Sequence, residues 1–91
     1  MYASIFWRGF VDFYFVINVK NKEFTEAFGI YLCVLRKKAG LTQVELANDA
    51  DIPLSQVGRI ERGEVNTTIS TVFAIAKALN LEVSELFNFN I

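Results

Sequence analysis

The chain has 91 residues with a formal net charge of −1, and 53% of its residues are hydrophobic. This length accommodates one small domain, and the apolar content is ample for a compact core. With no histidine and one cysteine, Cys33, the sequence offers neither an intrachain disulfide nor a zinc cluster. Any affinity for nucleic acid must come from a local basic patch, because the overall charge is close to zero.

Residues 1–20 form an apolar extension whose pattern differs from the rest of the chain. Its odd positions are apolar at Val11, Phe13, Phe15, Ile17 and Val19. This alternation, rich in β-branched and aromatic residues, predicts a β-strand over residues 10–19. The strand would pair with its copy in a second subunit, fold back as a hairpin or remain an exposed edge. The other open interpretation is an appendage with no role of its own.

The extension fits a membrane segment poorly. Arg8 and Asp12 would each oppose insertion of a helix by roughly 2.5 to 3.5 kcal/mol. A signal peptide is disfavoured as well, because the segment lacks a basic start and a small-residue cleavage site. We therefore expect a cytoplasmic protein that does not contact a membrane.

From residue 21 the pattern becomes helical, and residues 21–91 are predicted to form the functional domain. Asn21 is a candidate N-cap for the first helix, and Gly40 is a candidate stop. The basic run 36–38 either complements the helix dipole or contacts phosphate, and the sequence leaves both interpretations open. The apolar stripe of this helix comprises Phe24, Ala27, Phe28, Tyr31, Leu32 and Leu35.

Residues 41–64, LTQVELANDADIPLSQVGRIERGE, predict two short helices joined by a tight turn. Thr42 followed by Glu45 fits a capping box, in which the hydroxyl and the carboxylate each bind a backbone amide. Ala47 is small where the two helices are expected to approach most closely, and Gly63 supplies a left-handed residue after the second helix. The apolar positions expected to share one core are Val44, Leu46, Ala47, Ala50, Ile52, Val57 and Ile60.

Two further helices are predicted after this motif. Thr68 or Ser70 is suited to cap the first of them, and Asn80 is suited to leave it in the left-handed conformation. Residues 83–87 form the last short helix, and the tail 88–91 is apolar enough to cover a neighbouring surface. The expected core face of the longer helix is Ile69, Val72, Phe73, Ile75, Ala76 and Leu79.

The motif resembles the helix-turn-helix of the phage Cro and repressor (XRE-type) family of transcriptional regulators. The matching positions are Gln43, Leu46, Ala47, Ala50, Ile52, Val57 and Ile60, together with the run RIERG at residues 59–63. The resemblance covers roughly residues 24–87 and implies an all-α, five-helix, lambda-repressor-like DNA-binding domain. Two positions depart from the family pattern, since Asp51 replaces a turn glycine and Pro53 replaces a serine or threonine. Asp tolerates positive φ and Pro suits a first helical turn, so we expect the turn to be kept.

The resemblance places a recognition helix, at about residues 54–62, in the major groove of DNA. If Val57 and Ile60 point inward, the side chains that point outward or to the flank are Ser55, Gln56, Arg59 and Arg62. Gln pairs with adenine and Arg with guanine, each pairing contributing about 1 to 3 kcal/mol of discrimination. The predicted base contacts are Leu54, Ser55, Gln56 and Arg59.

Groups beside the recognition helix are expected to hold the DNA backbone. The predicted phosphate contacts are Thr42, Gln43, Arg62, Asn66, Thr67 and Thr68. The resemblance also implies that Arg36 and Glu61 form a partly buried ion pair with a structural role.

The sequence therefore predicts a sequence-specific DNA-binding regulator that acts as a homodimer on a two-fold operator and needs no cofactor. The alternative is an antitoxin-like module that binds a protein partner as well as DNA, with the apolar extension as the partner-binding strand. An enzyme is disfavoured, because the sequence has no histidine, no glycine-rich phosphate loop and no imidazole to activate Cys33.

Overall fold

A computed structural model of the chain describes residues 20–90. It contains helices α1 (Lys22–Lys38), α2 (Gln43–Ala50), α3 (Leu54–Glu61) and α4 (Ile69–Ala78), followed by the 3-10 helix η1 (Val83–Phe87). All regular structure in this part of the chain is helical and follows the predicted order, which confirms the all-α fold class. The strand predicted at residues 10–19 lies outside the described residues. Between residues 20 and 90, every helix is too short or too polar to span a membrane.

The helix starts follow the local sequence. The Asn21 side chain accepts a hydrogen bond from the Phe24 amide at 2.9 Å. Thr42 and Glu45 form the predicted capping box, with bonds of 3.1 and 2.9 Å. Of the two candidates for α4, Thr68 is the cap and accepts from the Thr71 amide at 3.2 Å. These hydrogen bonds confirm the predicted caps. The caps could be predicted from sequence because each depends only on residues three apart.

The turns also use the predicted residues, with one difference. Asp51, Gly63 and Asn80 have φ values of 57°, 73° and 59°, the left-handed conformation that these residue types tolerate. Pro53, however, is the N-cap of α3 with ψ of 143°, and it therefore precedes the first helical turn. The proline ring fixes φ at −62°, a value that occurs in extended backbone as well as in helices. Because the ring has no hydrogen-bonding group, α3 begins without a side-chain cap.

The core lies where α1, α2, α3, α4 and η1 meet. Its fully buried large side chains are Leu32, Leu46, Val57, Ile60, Ile75 and Leu86. Three residues expected in the core are exposed instead: Val44, Phe73 and Ile69 expose 50%, 58% and 87% of their surface. Val44 and Phe73 each lie beside the buried stripe of their own helix, which is too narrow to include them. Ile69 begins α4 and lies beyond the end of the core.

A close contact that the sequence did not reveal joins α1 to α3. Gly29 is buried in the middle of α1, where a Cβ atom would come within 3.0 Å of the backbone oxygens of Ile60 and Glu61. Near the start of the same helix, the Thr25 hydroxyl donates to the Gly63 carbonyl at 3.1 Å. These two contacts fix the position of α3 against α1.

The end of η1 and the tail that follows it cover one side of α1. Phe87 lies 5.1 Å from Phe28 between ring centroids, and Phe89 lies 5.5 Å from Phe24 and 5.8 Å from Tyr31. The tail therefore extends the apolar stripe of α1 with a cluster of aromatic rings.

Candidate nucleic-acid interface

Helix α3 has one buried face and one open face. Val57 and Ile60 expose 0% and 1% of their surface and attach the helix to the core. On the other side, Ser55 and Arg59 are exposed, and Leu54 exposes 48%. Gln56, the fourth predicted base contact, is half-buried at the edge of this face. The helix therefore presents polar and charged groups as a stripe that a groove of DNA can accept.

Arg36 and Glu61 add a third contact between α1 and α3. The Arg36 Nε atom lies 2.6 Å from Glu61 Oε2, and its Nη2 atom lies 3.1 Å from Oε1, which makes a two-pronged ion pair. Arg36 also donates through Nη1 to the Leu41 carbonyl at 2.8 Å. One buried guanidinium thus connects α1, the entry to α2 and the end of α3.

The environment of the ion pair keeps both partners charged. Burial alone would raise the pKa of Glu61, but hydrogen bonds from Arg36 and Gln43 outweigh burial and hold that pKa below its ordinary value. The hydrogen bond to Glu61 raises the pKa of Arg36, although burial opposes this. The pair is therefore ionised at neutral pH, with its charges satisfied inside the protein.

Gln43, a predicted phosphate contact, belongs to the same network. Its Nε2 atom donates to Glu61 Oε1 at 2.9 Å. A side-chain amide carries two N–H donors, so one bond to Glu61 orients the group and leaves the chemical capacity for a second acceptor. The neighbouring Thr42 uses its hydroxyl in the capping box. Its backbone amide donates to Glu45 and its carbonyl accepts from the Leu46 amide, so the hydroxyl hydrogen is the polar group that can still donate to a phosphate.

Arg62, another predicted phosphate contact, pairs with an acid in the structure. Its Nε atom lies 2.7 Å from Glu64 Oε2, and both side chains are largely exposed. The Glu64 hydrogen bond raises the pKa of Arg62, and the same bond lowers the pKa of Glu64. The Arg62 guanidinium also lies over Gly58, whose Cβ position is 3.0 Å from Arg62 Nη1. Glu64 occupies the Nε and Nη2 atoms of Arg62, so a phosphate would have to compete with Glu64 for that edge or bind at Nη1.

The loop after α3 carries the remaining predicted phosphate contacts. Asn66 and Thr68 are exposed and Thr67 is half-buried. The Thr68 hydroxyl caps α4 and donates to the Thr71 hydroxyl at 2.9 Å, and its carbonyl accepts from the Val72 amide. The Thr68 backbone amide is therefore the group that can face DNA. This loop lies on the C-terminal side of α3, whereas Thr42 and Gln43 precede α3.

Two cations that the sequence analysis did not single out lie beside this loop. Lys20 and Lys22, at the start of α1, line a recess of about 470 Å³ together with Arg62 and Asn66. They are brought there by the packing of α1 against Gly63, a contact between distant parts of the chain. The same recess is lined by the carboxylates of Glu26 and Glu64, so three cations and two acids meet there. A local sequence pattern could not have indicated this grouping next to the predicted phosphate contacts.

Comparisons with known proteins agree with this geometry. The model of the helix-turn-helix family HTH_3 matches residues 34–86, which include α2, α3 and α4. The chain is similar to the immunity repressor protein of Bacillus phage phi105, with 42% identity over 52 residues, covering 57% of this chain and 36% of the repressor. It is also similar to the control protein C.SmaI of Serratia marcescens, with 41% identity over 46 residues, covering 50% of this chain and 55% of that protein. The chain thus spans only about a third to a half of the length of these relatives.

Among solved structures, the restriction-modification controller protein C.AhdI of Aeromonas hydrophila is similar with a TM-score of 0.68 and 38% sequence identity. The match covers 69% of this chain and 96% of that protein. The clp gene regulator ClgR of Corynebacterium glutamicum is similar with a TM-score of 0.67 and 25% identity, covering 70% of this chain and 83% of the regulator. The helical part of the chain therefore has the fold of these regulators.

Proposed function

Because the chain belongs to the helix-turn-helix family of DNA-binding transcriptional regulators, we propose that it binds one operator sequence as a homodimer. Helix α3 enters the major groove, and regulation follows from occupancy of the site. The observation that carries the proposal is the division of α3 into a buried face, with Val57 and Ile60, and an open face, with Ser55 and Arg59. The proposed activity is binding, without a chemical step. It takes place in the cytoplasm, where the DNA lies.

The open face of α3 supplies the groups that would read bases. Arg59 can donate two parallel hydrogen bonds to guanine, and Gln56 can pair in the same way with adenine. Leu54 and Ser55, at the start of the helix, suit apolar contact with thymine methyl groups and hydrogen bonds to base or sugar edges. Their exposure on one rigid helix supports this assignment, because a helix tied to the core holds its side chains in one orientation.

The flanks of α3 supply the proposed backbone contacts. Gln43 and Thr42 hold phosphate on one side, while Arg62 and the loop 66–68 hold it on the other. The support for Gln43 is that its bond to Glu61 sets the direction of its amide group before DNA arrives. On the other side, Lys20 and Lys22 lie in the same recess as Arg62 and add two cations beside its pair with Glu64, although Glu26 also lines that recess. Such contacts position the protein and make its affinity depend on salt, without reading sequence.

The small size of this reading surface supports a homodimer. One α3 helix contacts only a few base pairs, whereas two copies on a two-fold operator, about 34 to 36 Å apart, double the contacted sequence. The direct test is to select bound duplexes from a random pool with the full-length protein. The proposal expects a motif with two-fold symmetry and half-sites one helical turn apart. Recovery of unenriched sequence would contradict it.

A further inference from the structure

The backbone of Glu64 is fixed at the end of the proposed recognition helix. Its amide donates to the Arg59 carbonyl at 2.9 Å. The preceding residue, Gly63, turns the chain with φ of 73°, and its carbonyl accepts from the Thr25 hydroxyl at 3.1 Å. Because these bonds attach the turn to both α3 and α1, the Glu64 side chain extends from a defined point beside α3.

The Glu64 carboxylate meets both arginines at the end of α3. Its Oε2 atom lies 2.7 Å from Arg62 Nε, and its Oε1 atom lies 3.3 Å from Arg62 Nη2, which makes a two-pronged pair. The hydrogen bond from Arg62 and, more weakly, the charge of Arg59 lower the pKa of Glu64. Glu64 is therefore ionised at neutral pH and is a counter-ion for a proposed base contact and a proposed phosphate contact.

Stability does not account for this arrangement. A carboxylate after the last turn of a helix faces the negative end of the helix dipole, and an ion pair as exposed as this one stabilises a fold little. The pair does set the direction of the Arg62 guanidinium, which lies over Gly58 with Nη1 3.0 Å from the Cβ position of that glycine. Since the carboxylate occupies Nε and Nη2, Nη1 is the part of the guanidinium left for a phosphate.

We propose that Glu64 is a specificity-determining residue, which weakens binding to unrelated DNA by holding Arg62 in the orientation that suits the operator. On the operator, base contacts fix the register of the duplex, so one phosphate can meet Nη1 while Arg62 stays paired with Glu64. On unrelated DNA, affinity comes from phosphates in changing registers. Arg62 then has to leave Glu64 to reach them, and the carboxylate repels them. The inference rests on the proposed function, in which α3 reads one operator.

The test compares full-length wild type with Glu64→Gln, and with Glu26→Gln as the matched control. Glu26 lines the same recess and is also exposed, and within residues 20–90 the Arg62 guanidinium hydrogen-bonds only to Glu64. Each variant thus removes one negative charge from the same region, and only one of them releases Arg62. Affinities are measured at several salt concentrations for the duplex selected from the random pool and for an unrelated duplex of equal length.

We expect Glu64→Gln to bind the unrelated duplex about two- to fivefold more tightly, the size of one exposed ion pair. The slope of log affinity against log salt concentration should become steeper by about 0.9 on that duplex, because Arg62 gains a phosphate. Affinity for the selected duplex should change little, so the ratio of the two affinities falls. Glu26→Gln should raise both affinities by one factor and keep the ratio. In an Arg62→Ala background, Glu64→Gln should no longer lower the ratio, because Glu64 acts through Arg62.

A Glu64→Gln protein that keeps the wild-type ratio would overturn the inference, and so would a Glu26→Gln protein whose ratio falls as far. A selective effect of Glu64→Gln that persists in the Arg62→Ala background would also overturn it, since Glu64 would then act without Arg62. In these three cases wild type still prefers the selected duplex, so the proposed function stands. A wild-type protein that binds the two duplexes equally would overturn the proposed function and the inference together.

Discussion

Arg36 and Glu61, 25 residues apart in sequence, meet in a two-pronged ion pair with a shortest distance of 2.6 Å. Their side chains expose only 9% and 6% of their surface. The pair joins the end of α1 to the end of α3, so the orientation of the proposed recognition helix depends on a buried charge and its partner.

Loss of either partner should leave the other charge buried and unpaired. We expect Arg36→Met and Glu61→Leu each to lower the free energy of unfolding by about 3 to 5 kcal/mol, and the double substitution to recover much of that loss. Urea unfolding of all four proteins gives the coupling energy. Additive losses would show that the two side chains do not interact. Arg36→Lys, which keeps the charge but not the fork, serves as the milder variant if the others are too unstable to measure.

The lowered pKa of Glu61 predicts a specific dependence of stability on pH. A carboxylate with a folded pKa below its unfolded value stabilises the protein above the unfolded pKa, about 4.3 for Glu. That contribution disappears as the pH falls through the folded pKa. The difference in unfolding free energy between wild type and Glu61→Gln should therefore be largest near neutral pH and shrink below about pH 4.3. A difference that stays constant between pH 7 and the acid range would contradict this. Glu64 is present in both proteins, so its own titration cancels.

Two helical glycines should respond in opposite ways to alanine. Gly29→Ala would press a methyl group against the backbone of α3, so we expect a loss of at least about 1 to 3 kcal/mol. Gly58→Ala meets only the flexible end of Arg62, so the better helix propensity of alanine should stabilise by up to about 1 kcal/mol. Thermal and urea unfolding of the two variants test the contact between α1 and α3. Equal effects would mean that the close approach at Gly29 does not exist in solution.

Gln43 has two proposed roles that one substitution can separate. Gln43→Ala should weaken binding to operator and to random duplex by the same factor, because a phosphate contact carries no sequence information. It should also lower stability by about 1 kcal/mol through the lost bond to Glu61. Binding is measured at a temperature where the variant is fully folded. A selective loss on operator alone would assign Gln43 to base reading.

The features that sequence analysis predicted well are those set by neighbours in the chain. The caps at Asn21 and Thr42 and the left-handed Asp51 need only residues within one helical turn. The exposure of Ile69 depends instead on where α4 begins, beyond the core, and the burial of Gly29 depends on where α1 crosses α3. Lys20 and Lys22 gather near Arg62 for the same reason. A periodic pattern gives the faces of one helix and not the distance between two helices.

The central claim is that the protein binds DNA sequence-specifically through α3. The effect of Arg59→Ala on base preference tests this claim most directly. Affinities are measured for the selected operator and for each of its single base-pair changes, with wild type, Arg59→Ala and the control Lys77→Ala. Lys77 is an exposed cation near the end of α4. Its replacement by alanine removes one positive charge, as Arg59→Ala does, but at a position outside α3. At one base pair in each half-site, we predict that a base change costs wild type and Lys77→Ala about 1 to 3 kcal/mol of binding free energy. The same base change should leave the affinity of Arg59→Ala unchanged. A uniform loss for Arg59→Ala on every duplex, operator and random alike, would contradict the account.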